Sequence, residues 1–190
     1  MTKWTAALLA PLVLVALALV AGMLVLLGLA KPTNAAAPNY AVVTVGGLQY
    51  QAMNGRQLDP AGPIDAAILR GLPAAERRTR PGQMLYGAFL SVSNGTPRPL
   101  RSASRIELLD ESNRVYQPLP LAAGDPYAYT PRLVPAGATI PVFGSPAADN
   151  LAAEGYLVLF RIPTASFNAG GLEIVIHDPA HPAQTETLFA

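Results

Sequence analysis

The stretch MLYGAFLSV, residues 84–92, decides the fold of this chain. Every second residue from Met84 to Val92 is apolar or aromatic, whereas Gly87, Ser91 and Ser93 lie on the opposite side. A period of two residues is that of a β-strand whose one face contacts an apolar core. Asn94-Gly95 then supplies a turn signal. We therefore expect a strand here, in a sheet with one buried face.

Similar alternation on both sides of this strand predicts further strands. The first candidate runs from residue 40 to 53, and its Gly46-Gly47 pair predicts a bulge or a change of sheet. The others are residues 102–109, 115–116, 156–162, 172–177 and 185–189. Helical turns are expected only at 64–72 and 146–155, because no long 3.6-residue apolar period occurs after residue 40. About seven short strands without interleaved helices predict an all-β fold, an antiparallel β-sandwich.

The segment 117–146 is predicted to be irregular because it contains seven prolines, which cannot donate to a β-ladder. Within it, Tyr127 and Tyr129 alternate after Pro126. Tyrosine offers a large contact area at a small entropy cost, so these two residues are the first candidates for partner binding. The alternative is that both tyrosines cover the open end of the sandwich core.

Residues 5–30 contain no charged side chain. As a helix they would reach about 39 Å, more than the ~30 Å hydrocarbon core of a bilayer. We therefore expect an uncleaved single-pass anchor, with residues 1–30 as cytoplasmic tip and transmembrane helix, 31–39 as linker and 40–190 as one extracytoplasmic domain. Lys3 and Lys31 flank the run almost symmetrically. The cytoplasmic amino terminus is chosen because the short tail would otherwise have to be translocated.

Composition excludes several classes of function. The chain has no cysteine, which excludes disulfides, thiolate metal sites and a cysteine nucleophile. From Pro32 onward, 11 arginines face 12 acidic residues, a net charge of −1. Because nucleic-acid binding needs a dense basic face, we expect no nucleic-acid partner.

A short basic run, ERRTR at residues 76–80, is the second candidate contact region. Arg77, Arg78 and Arg80 are suited to anionic lipid head groups or wall polymers. The alternative is an ordinary solvated loop.

Catalytic motifs are absent from the sequence: it has no phosphate loop, dinucleotide fingerprint or nucleophile elbow. The two histidines, His177 and His181, could offer ligands to a metal together with Asp178. Pro179 and Pro182 make that segment a turn, so the two rings need not converge. We expect no catalytic residue, cofactor or metal. The rival hypothesis is an envelope metal-binding protein or hydrolytic enzyme that uses this histidine cluster.

Four segments resemble those of a known family: GAFLSVSN (87–94), LLDESNRVYQP (108–118), GYLVLFRIP (155–163) and LEIVIHDP (172–179). The family comprises bacterial extracytoplasmic immunoglobulin-like sandwiches of unknown function, fold relatives of a secreted mycobacterial immunoprotective antigen. The resemblance covers residues 40–189 and implies an immunoglobulin-like fold but no activity. Asn113 departs from the glycine of that pattern, and the loop after it is longer and more aromatic.

Together these observations predict a non-catalytic interaction or accessory module of the bacterial cell envelope. It would be anchored in the lipid bilayer through residues 5–30 and would bind a protein or envelope partner through loops of the sandwich.

Overall fold

The computed structural model describes residues 41–78, 80–149 and 154–189. The strands of these ranges are β1 Val42–Val45, β2 Leu48–Leu58, β3 Gln83–Ser93, β4 Leu100–Arg101, β5 Ile106–Leu109, β6 Val115–Tyr116, β7 Leu133–Val134, β8 Thr139–Ile140, β9 Tyr156–Pro163, β10 Glu173–His177 and β11 Thr185–Phe189. The helices are α1 Pro63–Ile68, which a 3₁₀ turn at Leu69–Gly71 extends, α2 Pro146–Asp149 and α3 Thr164–Ala169. The expected strands and helical turns are thus confirmed as elements, with changes at several boundaries. The helix α3 was not expected, and the short strands β7 and β8 lie within the segment 117–146 that was predicted to be irregular.

The strands form two larger antiparallel sheets. In the first, β1, β2 and β3 are neighbours, and the far side of β3 pairs with β9 and, near its end, with β8. The second has the order β11-β10-β5-β6, and β4 and β7 form a small separate pair. One apolar cluster contains side chains from both larger sheets, so the sheets pack face to face. The predicted all-β antiparallel sandwich is confirmed.

The predicted anchor, residues 5–30, and the linker, residues 31–39, lie outside the described residues. Among the residues that are described, no helix combines the length and the apolar character needed to cross a bilayer.

The pair Gly46-Gly47 is a hairpin turn, so the expected bulge or change of sheet at this point is wrong. Both glycines have positive φ, 56° and 81°, as a two-residue turn of the primed type requires. Val45 pairs with Leu48 directly across the turn. β2 then continues to Leu58, five residues beyond the predicted end of the first strand.

The bulge lies further along β2, where the register shifts between Ala52 and Asn54. An extra residue in one strand reverses which side chains face which side of the sheet. Before the bulge, Tyr50 pairs with Val92 and faces the sandwich core. After it, Leu58 pairs with Leu85 and faces the opposite side. Both halves of β2 can therefore bury apolar side chains, but on different faces.

β3 is buried on both faces, so the expectation of one solvated face is wrong. Its even-numbered residues, such as Tyr86 and Leu90, lie in the sandwich core, while Leu85 and Phe89 lie on the other side. We call the cluster on that second side the outer cluster; it consists of Leu58, Ile68, Leu69, Leu72, Leu85, Phe89, Leu157 and Leu159. The helical segment at 63–71 and parts of the proline-rich loop cover it. The fold therefore has a third, irregular layer outside the sandwich.

The β5–β6 hairpin is organised by Asp110. Its Oδ1 accepts hydrogen bonds from the backbone N–H of Ser112 (2.9 Å) and Arg114 (3.0 Å), the contacts by which aspartate stabilises a turn. Its Oδ2 accepts from the hydroxyls of Tyr116 (2.7 Å) and of Ser166 in α3 (2.8 Å). Asn113 has φ 59°, a conformation that glycine adopts at least cost and asparagine tolerates. That tolerance allows asparagine to occupy this position of the turn.

We expect Phe89→Ala to lower the free energy of unfolding by about 3–5 kcal/mol, because Phe89 is fully buried in the outer cluster and truncation leaves a cavity. Chemical denaturation measures this loss. Phe143→Ala is the matched control, since Phe143 is 94% exposed, and it should leave stability nearly unchanged. Equal losses in the two variants would show that the outer cluster does not stabilise the fold.

A second prediction concerns pH. The hydrogen bond from Tyr116 is the main cause that lowers the pKa of Asp110 from 3.8 to about 2, against the opposing effect of desolvation. The folded state therefore binds this proton less readily than the unfolded state. The resulting stabilisation is present above about pH 4 and is lost as the pH falls towards 2.

The free energy of unfolding, measured at several pH values from pH 6 to pH 2, should fall less with decreasing pH in Asp110→Asn than in the parent chain. Glu186→Gln, at an exposed residue of β11, is the control and should follow the parent curve. Parallel curves for Asp110→Asn and the parent would contradict the assignment.

Candidate functional site

The first candidate site is an apolar groove of about 260 Å³ beside β9. We call it the proline groove. Two parts of the proline-rich loop form its walls, and β9 forms its floor. It is lined by Ser104, Ile106, Pro118, Leu119, Pro120, Leu121, Ala128, Tyr129, Thr130, Pro131, Leu157, Val158 and Leu159.

The loop is held against the edge of β9 that β3 leaves uncovered. Leu119 N donates to Leu159 O (2.7 Å), and Tyr129 N donates to Leu157 O (2.9 Å). In return, Leu157 N donates to Tyr127 O (2.7 Å). Because proline has no N–H, the loop can bond to the edge only at intervals and cannot form a continuous strand. The two wall segments therefore contact β9 at separate points, and the groove lies between them.

The two tyrosines predicted as partner contacts have different positions. Tyr129 lines the proline groove and packs against the sandwich core, and its hydroxyl donates to Ala103 O (2.9 Å). Burial, and then the nearby Tyr50, raise the pKa of Tyr129 above its ordinary value. Tyr127 is not among the groove residues but packs against both apolar clusters. This packing agrees with the alternative that both tyrosines cover the end of the core, and the partner-binding role stays a prediction.

The three arginines of the basic run also have different surroundings. Arg80 pairs with Glu76 through Nη2 and Oε2 (2.9 Å). Arg77 and Arg78 line a second cavity of about 300 Å³, together with Arg161 from β9. The sequence analysis did not single out Arg161. The sequence did contain a signal for it. Arg161 follows Leu157 and Leu159 at the same two-residue spacing, so a charged residue stands where the pattern predicts a buried apolar one.

The histidine cluster is not assembled as a metal site. His177 is buried, with Nε2 2.7 Å from Glu107 Oε2 and Nδ1 3.1 Å from Pro182 O. The side chain of His181 is 68% exposed, and its Nδ1 lies 3.8 Å from Asp178 Oδ1. Within the described ranges, no group of three histidine or carboxylate side chains is arranged to hold a metal. Both ring nitrogens of His177 thus have protein partners, and the rings of the two histidines do not share a site.

Glu107 is the centre of a buried polar network that the sequence analysis missed. Besides His177, its carboxylate accepts hydrogen bonds from Gln117 Nε2 (2.5 Å) and Arg105 Nη2 (3.0 Å). Desolvation raises the pKa of Glu107, but the hydrogen bonds from Gln117, His177 and Arg105 outweigh it, so the pKa lies below its ordinary value. Because Gln117 begins the proline-rich loop, this network fixes one end of that loop to β5 and β10.

Comparisons with known proteins assign no family to this chain. No model of a known protein family matches the chain, and no curated protein matches it. Among solved structures, the yjhA protein from Bacillus subtilis is similar over 78% of this chain and 95% of its own, with 5% sequence identity and a TM-score of 0.43. A conserved hypothetical protein from Bacillus anthracis is similar over 80% of this chain and 94% of its own, with 14% identity and a TM-score of 0.47.

Proposed function

We propose that this chain is a non-catalytic interaction module of the bacterial cell envelope that binds a protein or envelope partner through the proline groove. The observation that supports the proposal is the groove itself: a preformed apolar cleft on the edge of the sandwich, with exposed prolines along its walls.

The size and the stiffness of the proline groove favour a protein as the partner. A volume of about 260 Å³ is below the ~300–1,000 Å³ that is typical of small-molecule pockets, and it suits one or two side chains of a larger molecule. The proline walls are already restricted in the free protein. Less conformational entropy is therefore lost on binding, which favours affinity from a small contact.

The first proposed contact residues are Tyr127 and Tyr129. Tyr129 supplies one wall of the groove, and Tyr127 lies two residues before it in the same segment. Arg77, Arg78 and Arg80 are the second proposed contact region, suited to an anionic surface. Tyr129 and Tyr127 also pack against the core, so a test of binding needs variants at other positions.

We further propose that residues 5–30 anchor the chain in the bilayer, with residues 31–39 as a stalk and the sandwich outside the cytoplasm. The uncharged run is long enough to span the hydrocarbon core. The sandwich is proposed to be of the immunoglobulin-like kind, on the resemblance of its four strand-and-turn segments.

The groove is tested with the full-length chain in its native membrane. A photo-cross-linking amino acid at position 130, which is exposed and lines the groove, should give a cross-linked product. Pro120→Arg should lower the yield about tenfold, because a charge in an apolar cleft must be desolvated when a partner covers it. Pro99→Arg, the same change at an exposed proline outside the groove, should leave the yield unchanged. Equal yields in both variants would contradict the proposal.

The anchor and its orientation are tested separately with enzymatic reporters at the carboxyl terminus. Alkaline phosphatase should be active there and β-galactosidase inactive, because only the former functions outside the cytoplasm. The chain should also stay in the membrane fraction after an alkaline wash, and deletion of residues 5–30 should release it. Recovery of the full-length chain from the cytosol without detergent would rule out the anchor.

A further inference from the structure

The second cavity lies where β2 ends, β3 begins and β9 ends. We call it the arginine cavity; it is lined by Gln57, Leu58, Asp59, Pro60, Arg77, Arg78, Gln83, Met84, Leu85 and Arg161. Its volume is about 300 Å³. Three guanidinium groups and one carboxylate are among the lining residues, an excess of two positive charges. The carboxylate, that of Asp59, accepts the backbone N–H of Ala61 (2.9 Å).

Arg161 occupies an apolar position of the sheet. It pairs with Leu85, which pairs in turn with Leu58, so all three share the face of the outer cluster. Its side chain is only 9% exposed. A buried arginine on such a face needs polar partners, since desolvation of its charge is costly.

The partners of Arg161 come from the loop that contains the basic run. Nη2 donates to Glu76 O and lies 3.3 Å from Glu76 Oε2, and Nη1 donates to Arg78 O (3.5 Å). These contacts hold Arg77 and Arg78 over the end of the sheet. Two cationic residues are thus fixed beside a third, although like charges repel each other.

Two hydrogen-bond donors of this cluster have no partner among the described residues. The Nε atoms of Arg77 and Arg161 are both buried, and neither has a partner in the part of the chain that the structure describes. An unpaired buried donor is unfavourable, and buried N–H groups in native proteins are nearly always paired. Both residues line the same cavity, and an anion placed there would offset the excess positive charge.

We propose that the arginine cavity binds a tetrahedral oxyanion carrying a phosphoryl group. Arginine N–H groups and phosphate oxygens form strong charge-assisted hydrogen bonds. Arg77 and Arg78 approach the cavity from the loop and Arg161 from the sheet, so the acceptor must take hydrogen bonds from several directions. A phosphoryl group does this, whereas a carboxylate accepts mainly in its own plane. The amides of Gln57 and Gln83 add neutral donors at the exposed side. This site does not depend on the proline groove.

The test uses the full-length chain in a non-ionic detergent and measures binding by titration calorimetry at low ionic strength. Inorganic phosphate should bind saturably at one site. The double variant Arg77→Gln, Arg78→Gln should weaken this binding about tenfold or more, because it removes two of the three charge-assisted donors. Arg98→Gln, Arg101→Gln is the matched control: it removes the same charge at two exposed arginines outside the cavity and should change the affinity less than about twofold.

Arg77→Lys keeps the charge but removes the planar guanidinium with its several N–H donors, and should weaken phosphate binding several-fold in a chain that folds normally. If the double variant does not fold, the phosphate affinity of this single variant tests the proposal. Binding that Arg77→Lys leaves unchanged, or that the control pair weakens as much as the cavity pair, would overturn the proposal.

Two further probes define the ligand. Glycerophosphoglycerol, the soluble head group of an anionic phospholipid, carries the same phosphoryl chemistry. Tighter binding of this diester than of phosphate indicates a lipid source, and the reverse order indicates a free phosphate. Acetate should bind more weakly than either. Equal affinity for acetate, or saturable binding of neither phosphoryl probe, would overturn the proposal.

Discussion

The constraint on which the structure depends is that β3 has apolar side chains on both faces and must bury both. The second sheet covers the face that carries Tyr86 and Leu90. Among the described residues no second sheet covers the face that carries Leu85 and Phe89; a short helix, a 3₁₀ turn and a proline-rich loop cover it instead. Burial of large apolar side chains is the main favourable term in folding, so the need to cover this second face accounts for the third layer.

The bulge in β2, the strand beside β3, allows side chains of β2 to pack in both the sandwich core and the outer cluster. Without the extra residue, Leu58 would face the sandwich core and leave the outer cluster without one of its members. The same reversal places Arg56 on the outer face, where its guanidinium lies 5.7 Å from the ring centre of Phe89 and pairs with Asp65 of α1 (2.7 Å). Burial raises the pKa of Asp65, but the hydrogen bonds from Arg56 and from the backbone N–H of Asp59, together with the positive charge of Arg56, outweigh it, and the pKa lies below its ordinary value. This contact ties the helix to the sheet.

The period-two pattern was enough to predict the sandwich, because alternation is a local property of each strand. It did not predict which turns and bulges set the register. Gly46-Gly47 fits either a bulge or a hairpin turn, and only the pairing of β1 with β2 distinguishes them. The outer layer was not predicted, because Gly87, Ser91 and Ser93 give one side of β3 a small and polar character in the sequence. Leu85 and Phe89 lie on that same side and need to be buried. At the arginine cavity, the basic run was visible in the sequence, but its meeting with Arg161 depends on a contact between residues 85 positions apart.

Irregular segments of the chain line both candidate sites, and this follows from how those segments contact the sheets. A sheet covers its partner sheet continuously, because every strand pairs along its length. A proline-rich loop has few N–H groups to offer and contacts the edge of β9 only at intervals, which leaves the proline groove. Further along β9, Arg161 occupies the outer-face position after Leu159, and the arginine cavity forms beside it. The sandwich core fixes the positions of these gaps, while the loops that line them can change without disturbing its packing. A fold that is closed partly by loops therefore acquires clefts where those loops meet its strands, and those clefts are the surfaces from which binding can be built.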